Sequence, residues 1–329
     1  MTLKFALLGV GRIGKVHARA IFSNPDAELA VVADAFPEAA RAIADEYGCA
    51  VSEIDAIAAD PLIDAVVICT PTNTHADLIE KFAHAGKAIF CEKPIDLSVE
   101  RVKTCLETVK QTGAKLMIGF NRRFDPHFLG VKKVIDDGGI GDVEMVQIVS
   151  RDPGAPSPAY IRVSGGIFRD MTIHDFDMAR FLLGEEPVSV FATGSVLVDP
   201  EIGRLGDYDS ASIILMTATG RHASISNSRR ATYGYDQRIE VHGSKGSVSA
   251  QNEHLLRIEV ANGNGYTRPP LHDFFMTRYI AAYAAEIAAF VEVVRADAVA
   301  SPDGADGLRA LELAEAALRS AQTGAPVAV

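Results

Sequence analysis

Lys4-Phe5-Ala6-Leu7-Leu8-Gly9-Val10-Gly11-Arg12-Ile13-Gly14 carries an unbroken apolar run straight into G-x-G-x-x-G. The run spells a strand covered on both faces, and Ile13–Ser23 spells a helix, so the glycines fall at a strand-to-helix turn. There the first glycine permits the tight turn, the second lets a pyrophosphate approach the backbone, and the third lets helix pack on strand. The helix N-terminus adds N–H groups and partial positive charge. Asp34 closes a second apolar run, Leu29–Ala33, 20 residues past Gly14. A carboxylate at that distance accepts the hydroxyls of an adenosine ribose and repels a 2′-phosphate. The stretch therefore predicts a dinucleotide held by Gly9, Gly11, Arg12, Ile13, Gly14 and Asp34. It favours NAD over NADP, although Arg41 leaves NADP open.

Outward from this motif, short apolar runs alternate with helical patterns. Strands are expected at Lys4–Leu8, Leu29–Ala33, Ala65–Cys69, Ala88–Cys91 and Lys115–Gly119, with helices near Ile13–Ser23, Pro37–Tyr47, His75–Ala85 and Val99–Thr112. That alternation is the signature of a doubly wound parallel sheet. After Phe124 the pattern changes to strands that alternate apolar and polar residues, at Val143–Ser150, Val188–Leu197, Ser210–Met216, His222–Asn227, Gln237–His242 and Leu255–Val260. Helices are expected at about Pro126–Asp136, Ile173–Leu183, Phe275–Arg295 and Leu308–Ala321, and a flexible loop at Asn262–Pro270. The fold class is α/β: an N-terminal doubly wound parallel sheet, residues 1–121, and a C-terminal α+β domain, residues 122–329, with a large open, mostly antiparallel sheet.

Composition narrows the function. Two domains suit 329 residues, and 48% hydrophobic against 23% charged residues excludes wholesale disorder. A formal charge of −11 has the wrong sign for a protein that works by neutralising nucleic-acid phosphates. No apolar run approaches the ~20 residues of a membrane helix. Cys49, Cys69, Cys91 and Cys105 form no C-x-x-C pair and read as buried free thiols, and no metal-ligand cluster is evident. Phe5–Val10 passes into the glycine motif without a cleavage site, so a signal peptide is not expected and the cytoplasm is.

Ligands of open α/β sheets sit at the carboxyl ends of strands. The fourth strand ends in Thr70-Pro71-Thr72-Asn73-Thr74-His75 and the fifth in Cys91-Glu92-Lys93-Pro94. Thr70 and Thr72 either cap the following helix or, with Asn73, His75, Glu92 and Lys93, face the cofactor. A lysine there would place positive charge on a reacting oxygen. In the second domain Arg169–Asp177 opens a helix, which would put Asp170 and His174, four apart, on one face of its first turn; Asp170 could equally be an N-cap. Gly165-Gly166 would let substrate approach. By spacing, Tyr233 and Tyr235 share a strand face and Tyr279 and Tyr283 a helix face, as core, subunit-contact or ligand-contact residues.

On Gly9–Gly14, Glu92-Lys93-Pro94, Gly119–Pro126, Asp170–Asp177 and Tyr233–Asp236, the chain resembles the Gfo/Idh/MocA oxidoreductase family, and within it the branch that oxidises inositols. The resemblance covers nearly the whole length. It implies a Rossmann domain, a C-terminal sheet that mediates oligomer contacts (commonly in homotetramers), an active site in the cleft between domains, and a place in inositol catabolism. It also implies that Lys93, Asp170 and His174 are catalytic, and that Asn121, Arg122, Asp152, Tyr233 or Tyr235, and Tyr283 contact the polyol alongside them. The expected reaction is oxidation of a ring hydroxyl to the ketone with NAD, needing no metal. Ser150-Arg151-Asp152-Pro153 departs from the His-Arg-Asn-Pro form of some inositol enzymes, which leaves the polyol open. An aldose dehydrogenase or reductase, an NAD-dependent glycosidase and a catalytically silent NAD-binding sensor of the same family remain alternatives; the last predicts loss of the Lys or His, and both stand.

Overall fold

In the computed structural model, which describes residues 2–329, the chain divides into two compact units. The first runs up to Asp125 and takes in Ile280–Leu311; the second is Pro126–Tyr279 with Glu312–Val329. A single cut at 121/122 does not anticipate that the chain comes back to the first unit.

The first unit begins β1 (Leu3–Leu8), α1 (Arg12–Phe22), β2 (Ala27–Ala33), α2 (Pro37–Tyr47), β3 (Ala50–Val51), α3 (Ile54–Ala59) and β4 (Ala65–Ile68). It continues through α4 (His75–His84), β5 (Ala88–Glu92), α5 (Val99–Thr112) and β6 (Leu116–Gly119). The six strands form one parallel sheet in the order β3-β2-β1-β4-β5-β6, reversing direction of growth at β1/β4, where such sheets bind ligands. The runs expected to be covered on both faces are so: Phe5, Ala6, Leu7, Leu8 and all of Ala65–Ile68 have no exposure. Register brings the strand ends level. Leu8 pairs with Ala33 and with Ile68, so Gly9, Asp34 and Cys69 emerge side by side, and Glu92 pairs with Gly119. β3 and α3 were not foreseen, because two residues of strand and one and a half turns of helix leave no periodicity to detect.

The second unit runs α6 (Pro126–Asp136), β7 (Val143–Arg151), α7 (Pro158–Ser164), α8 (Ile167–Asp170), α9 (Ile173–Leu183), β8 (Pro187–Ser195), α10 (Pro200–Arg204), β9 (Ser210–Thr217), β10 (His222–Ser228), β11 (Asp236–Gly243) and β12 (Gly246–Ala250). A hairpin β13 (Val260–Asn262) and β14 (Gly265–Thr267) and a short helix α11 (Phe275–Arg278) follow. Then come α12 (Ile280–Arg295) and the start of α13 (Gly304–Thr323) in the first unit, with the end of α13 and β15 (Val327–Ala328) back in the second. The second sheet has seven strands in the order β12-β11-β7-β10-β9-β8-β15, antiparallel except for β7 and β10.

Four expectations are corrected here. Leu255–Val260 is not a strand; only Val260 enters one, in the hairpin that occupies part of the expected loop Asn262–Pro270, while the sheet's edge is Gly246–Ala250. The apolar residues that suggested the strand, Leu255, Leu256 and Ile258, are exposed. Tyr233 and Tyr235 precede β11, separated by Gly234 at φ +117°, so the period of two does not apply. Tyr279 lies between α11 and α12 with φ −110° and ψ 22°, off the helix that carries Tyr283, and the two residues belong to different units. Asp170 ends α8 and His174 is the second residue of α9, so they do not share one first turn.

Candidate active site

The glycine turn is built as a cradle. A Cβ on Gly9, whose φ is +84°, would lie 2.6 Å from the Cys69 carbonyl oxygen, and one on Gly14 only 2.0 Å from the Gly9 carbonyl oxygen. A Cβ on Gly11 would meet nothing within 4 Å. The outer glycines are thus demanded by the protein's own packing, whereas Gly11 keeps open space at the N-cap of α1. That helix has no side-chain cap and no acid in its first turn, so its leading N–H groups face the opening without an internal anion. These features fit a dinucleotide pyrophosphate. Asp34 accepts N–H bonds from Val10 at 2.7 Å and Phe36 at 2.8 Å, fixing its carboxylate against the turn. Arg12 is exposed, and Ile13 is half-buried.

Beyond β4, the hydroxyls of Thr70 and Thr74 lie 2.6 Å apart, and Thr74 donates to the Pro71 carbonyl at 2.8 Å. Since Thr74 has one proton to give, Thr70 must donate to Thr74. Neither Thr70 nor Thr72 caps α4, whose N-cap is Thr74 without a side-chain bond. Asn73 is exposed and Thr72 half-buried. His75 departs from its expected part. Its ring is 2% exposed, with Nδ1 2.8 Å from the Pro94 carbonyl and Nε2 2.7 Å from the Thr70 carbonyl, so it clasps two loops rather than presenting a nitrogen to a ligand. Burial lowers its proton affinity and the two carbonyls oppose this, because a neutral ring has one N–H to share between them and only the protonated ring donates to both. Lys93 is half-buried and precedes a cis peptide bond to Pro94. Glu92 is turned to His17, with Oε1 2.6 Å from Nε2. Asn121 and Arg122, in a short 3-10 turn after β6, are buried. Tyr283 packs its ring edge against His17, with centroids 5.6 Å apart.

In the second unit Gly165 and Gly166, at φ +82° and +84°, turn the chain from α7 into α8. Asp170 at the end of α8 is held by both oxygens: Tyr160 donates to Oδ1 at 2.7 Å and Arg229 to Oδ2 at 3.0 Å. Arg229, 2% exposed, also faces Asp207 at 4.0 Å. Burial raises the Asp207 carboxyl above its usual range, opposed by N–H bonds from Ile167 and Tyr208 and by Arg229. His174, half-buried, rides on α9, whose start is pinned by Asn227: Thr172 donates to its Oδ1 at 2.6 Å and its Nδ2 donates to Asp175 at 2.7 Å. Ser150 is fully buried and donates to Gln237 at 2.8 Å, while Asp152 is half-buried. Tyr233, half exposed, donates to Asp236 at 2.6 Å and accepts from Arg151 at 3.0 Å. Tyr235 is 5% exposed within an aromatic cluster with Phe274 and Tyr279.

Sequence reading missed Tyr160, Arg229 and Asn227, which hold Asp170 and α9 from 10 to 59 residues away along the chain. An isolated Tyr, Arg or Asn carries no pattern. The one available signal was Arg229 itself, a charge in an otherwise alternating stretch beside β10.

The first unit carries a dinucleotide cradle and the second an acid anchored by Tyr160 and Arg229, the parts of a two-domain, NAD-dependent oxidoreductase. Residues 3–120 match the oxidoreductase family with an NAD-binding Rossmann fold, and residues 128–249 match the GFO/IDH/MocA C-terminal domain. The chain belongs to the Gfo/Idh/MocA family. It is 70% identical over 320 residues to an inositol 2-dehydrogenase of Rhizobium meliloti, covering 97% of each chain. Among solved structures it is similar to a myo-inositol dehydrogenase from Corynebacterium glutamicum, with 46% identity, a TM-score of 0.96 and coverage of 100% and 99%. It is also similar to a scyllo-inositol dehydrogenase from Lactobacillus casei with bound NAD(H) and scyllo-inositol, at 29% identity and a TM-score of 0.93, with coverage of 100% and 99%. The cofactor is NAD.

Proposed function

We propose that the enzyme oxidises a ring hydroxyl of an inositol to the ketone, with His174 as general base, Lys93 as an electrostatic clamp on the oxygen and Asp170 as the group that orients them. The observation that carries this reading is the 70% identity to an inositol 2-dehydrogenase over nearly the full length of both chains. The glycine cradle, Asp34, Thr70, Thr72, Asn73 and Lys93 are assigned to NAD, which accepts the hydride; the Glu92 carboxyl, turned to His17, is left to a supporting part. Asn121, Arg122, Asp152, Tyr233 and Tyr283 are assigned to the polyol's other hydroxyls; Tyr235, buried among aromatic rings, fits a supporting role better.

The energetics require both a base and a cation. An unassisted hydroxyl ionises near pKa ~15.7, about 9 units above neutrality, or roughly 12 kcal/mol at 1.36 per unit. A positioned base contributes about 10²–10⁴-fold, some 3–5 kcal/mol. The rest is assigned to the Lys93 ammonium, which stabilises the developing alkoxide, and to loss of hydride as the proton leaves. Asp170 is held by Tyr160 and Arg229, which suits the fixed orienting group that this reading requires.

Further assignments are a homotetramer formed through the second sheet, action in the cytoplasm, and a place in inositol catabolism. The four cysteines are free thiols, which suits a reducing compartment. Screening inositol isomers, aldoses and glycosides for NAD reduction tests the substrate. NADH formation with an inositol is expected; reduction with aldoses alone, or glycoside cleavage without net NADH, overturns it.

A further inference from the structure

Within the first unit, three titratable side chains from three elements meet in a nearly closed interior. His17 of α1 and Glu286 of α12 have no exposure, and Glu92 at the end of β5 has 9%. His17 Nε2 stands 2.6 Å from Glu92 Oε1 and 3.9 Å from Glu286 Oε1. Both carboxyl oxygens of Glu286 lack any hydrogen-bond partner. Phe90 and Tyr283 pack on the His17 ring, and the Cys69 thiol, close enough to feel both Glu92 and Glu286, is a further ionisable neighbour.

We propose that His17, Glu92 and Glu286 form a buried two-proton cluster that positions Lys93, with Glu286 kept as a neutral carboxylic acid. This rests on the reading that Lys93 acts on the substrate. The charge count gives the protonation. Two carboxylates and an imidazole, fully deprotonated, carry two negative charges in an enclosed site, where unpaired charge is strongly disfavoured. One proton lies between His17 and Glu92, whose separation is that of a short charge-assisted bond. The second belongs on Glu286, which no donor reaches. Burial, then the neighbouring Glu92, raises its carboxyl well above the usual range. A divalent cation would neutralise the same charges, and the three groups are close enough to be ligands. However, two atoms each ~2.05 Å from a tetrahedral zinc stand about 3.3 Å apart, and 2.6 Å is too short for that arrangement.

The positioning follows from what Glu92 is attached to. Its carboxyl is boxed by Gly119, where a Cβ would come within 3.1 Å of it, and tethered by His17. Two residues on, the Pro94 carbonyl is tethered by His75 at 2.8 Å. Lys93 therefore projects from a three-residue segment fixed at both ends. Ionising Glu286 would put a second negative charge against Glu92 and loosen the first of those ties.

The test compares wild type, Glu286→Gln and Glu286→Ala as NAD-bound enzyme. Infrared spectra at about pH 8 should contain the carbonyl stretch of one protonated carboxylic acid that Glu286→Gln lacks. Glu286→Gln, which mimics the neutral acid, should keep kcat within about threefold. Glu286→Ala should lose tenfold or more in kcat while its NAD Kd stays within about threefold, which also certifies that the variant is folded. Absence of the acid band overturns the neutral form, and metal found in stoichiometric amount would replace it with a cation site. A Glu286→Ala enzyme with wild-type kcat overturns the positioning. If wild type oxidises no polyol, the substrate reading fails, yet the infrared band still reports on the cluster.

Discussion

Gly11 and Gly14 stand three residues apart in one turn and answer to different demands, which variants can separate. A methyl on Gly14 collides with the Gly9 carbonyl at 2.0 Å, so Gly14→Ala must shift backbone and should lower the melting temperature by several degrees. Gly11→Ala meets nothing and should fold as wild type, but it fills space assigned to the pyrophosphate. Calorimetry should find its NAD affinity reduced at least tenfold with the melting temperature of the free enzyme unchanged. Equal affinities would remove Gly11 from the cofactor site. His174→Ala should leave NAD Kd within about threefold, Lys93→Met should still bind NAD, and each should lower kcat by a factor of 10² or more. Turnover near the wild-type rate in either would strike that residue from the mechanism. These positions were legible in the sequence because the glycines stand at fixed spacing and the polar residues interrupt apolar strand ends. His75 shows the limit: its place in Thr70–His75 was plain, whereas the two carbonyls it clasps belong to loops 19 and 5 residues away.

At the level of elements, the strands of the parallel sheet were readable because burial on both faces writes continuous apolar runs, as in Ala65–Ile68. The break between α8 and α9 was not, since the residues on either side of Met171 and Thr172 are all compatible with one helix. What holds that corner is Arg229 from the end of β10, buried against Asp170 and Asp207. Arg229→Met should destabilise the enzyme by about 3 kcal/mol, because a largely buried carboxylate then loses its partner, and Tyr160→Phe by only about 1 kcal/mol. The arginine's loss is pH-dependent with a definite sign. Burial already raises the Asp207 carboxyl, and removing the guanidinium raises it further. The folded variant then retains a proton that the unfolded chain gives up, so the stability this contributes is present below the unfolded carboxylate pKa and fades as pH rises through the folded one. Thermal unfolding should show a larger deficit against wild type at about pH 8 than at about pH 5. A deficit equal at both would mean that Asp207 does not feel Arg229.

For the whole molecule, two domains could be inferred from length and from the change of pattern after Phe124, but not that Ile280–Leu311 rejoins the first unit. An Ala-rich helix such as α12 advertises an apolar face without saying which sheet it will cover; Ile287, Phe290 and Val291 prove to pack with Phe5 and Phe90. The second sheet poses the opposite question, a face left open. Its strands alternate as expected, with Ala211, Ile213 and Leu215 of β9 buried, but the outward positions are not uniformly polar. Phe191 pairs across to Ile214, and Met216 continues through His222 to Met145; these four large apolar residues are 36–48% exposed on one face. A largely apolar face of this kind is what the proposed tetramer needs, since two copies related by a twofold axis would each bury the other's. The double variant Ile214→Lys, Met216→Lys puts two charges into that face while touching none of the buried positions beneath it. Light scattering should report a tetramer for wild type and a species of half or a quarter of its mass for the variant, with NAD still bound because the glycine cradle lies in the other unit. An unchanged mass would show that subunits meet elsewhere, and the exposed hairpin bearing Val260 and Tyr266 would be the next surface to charge.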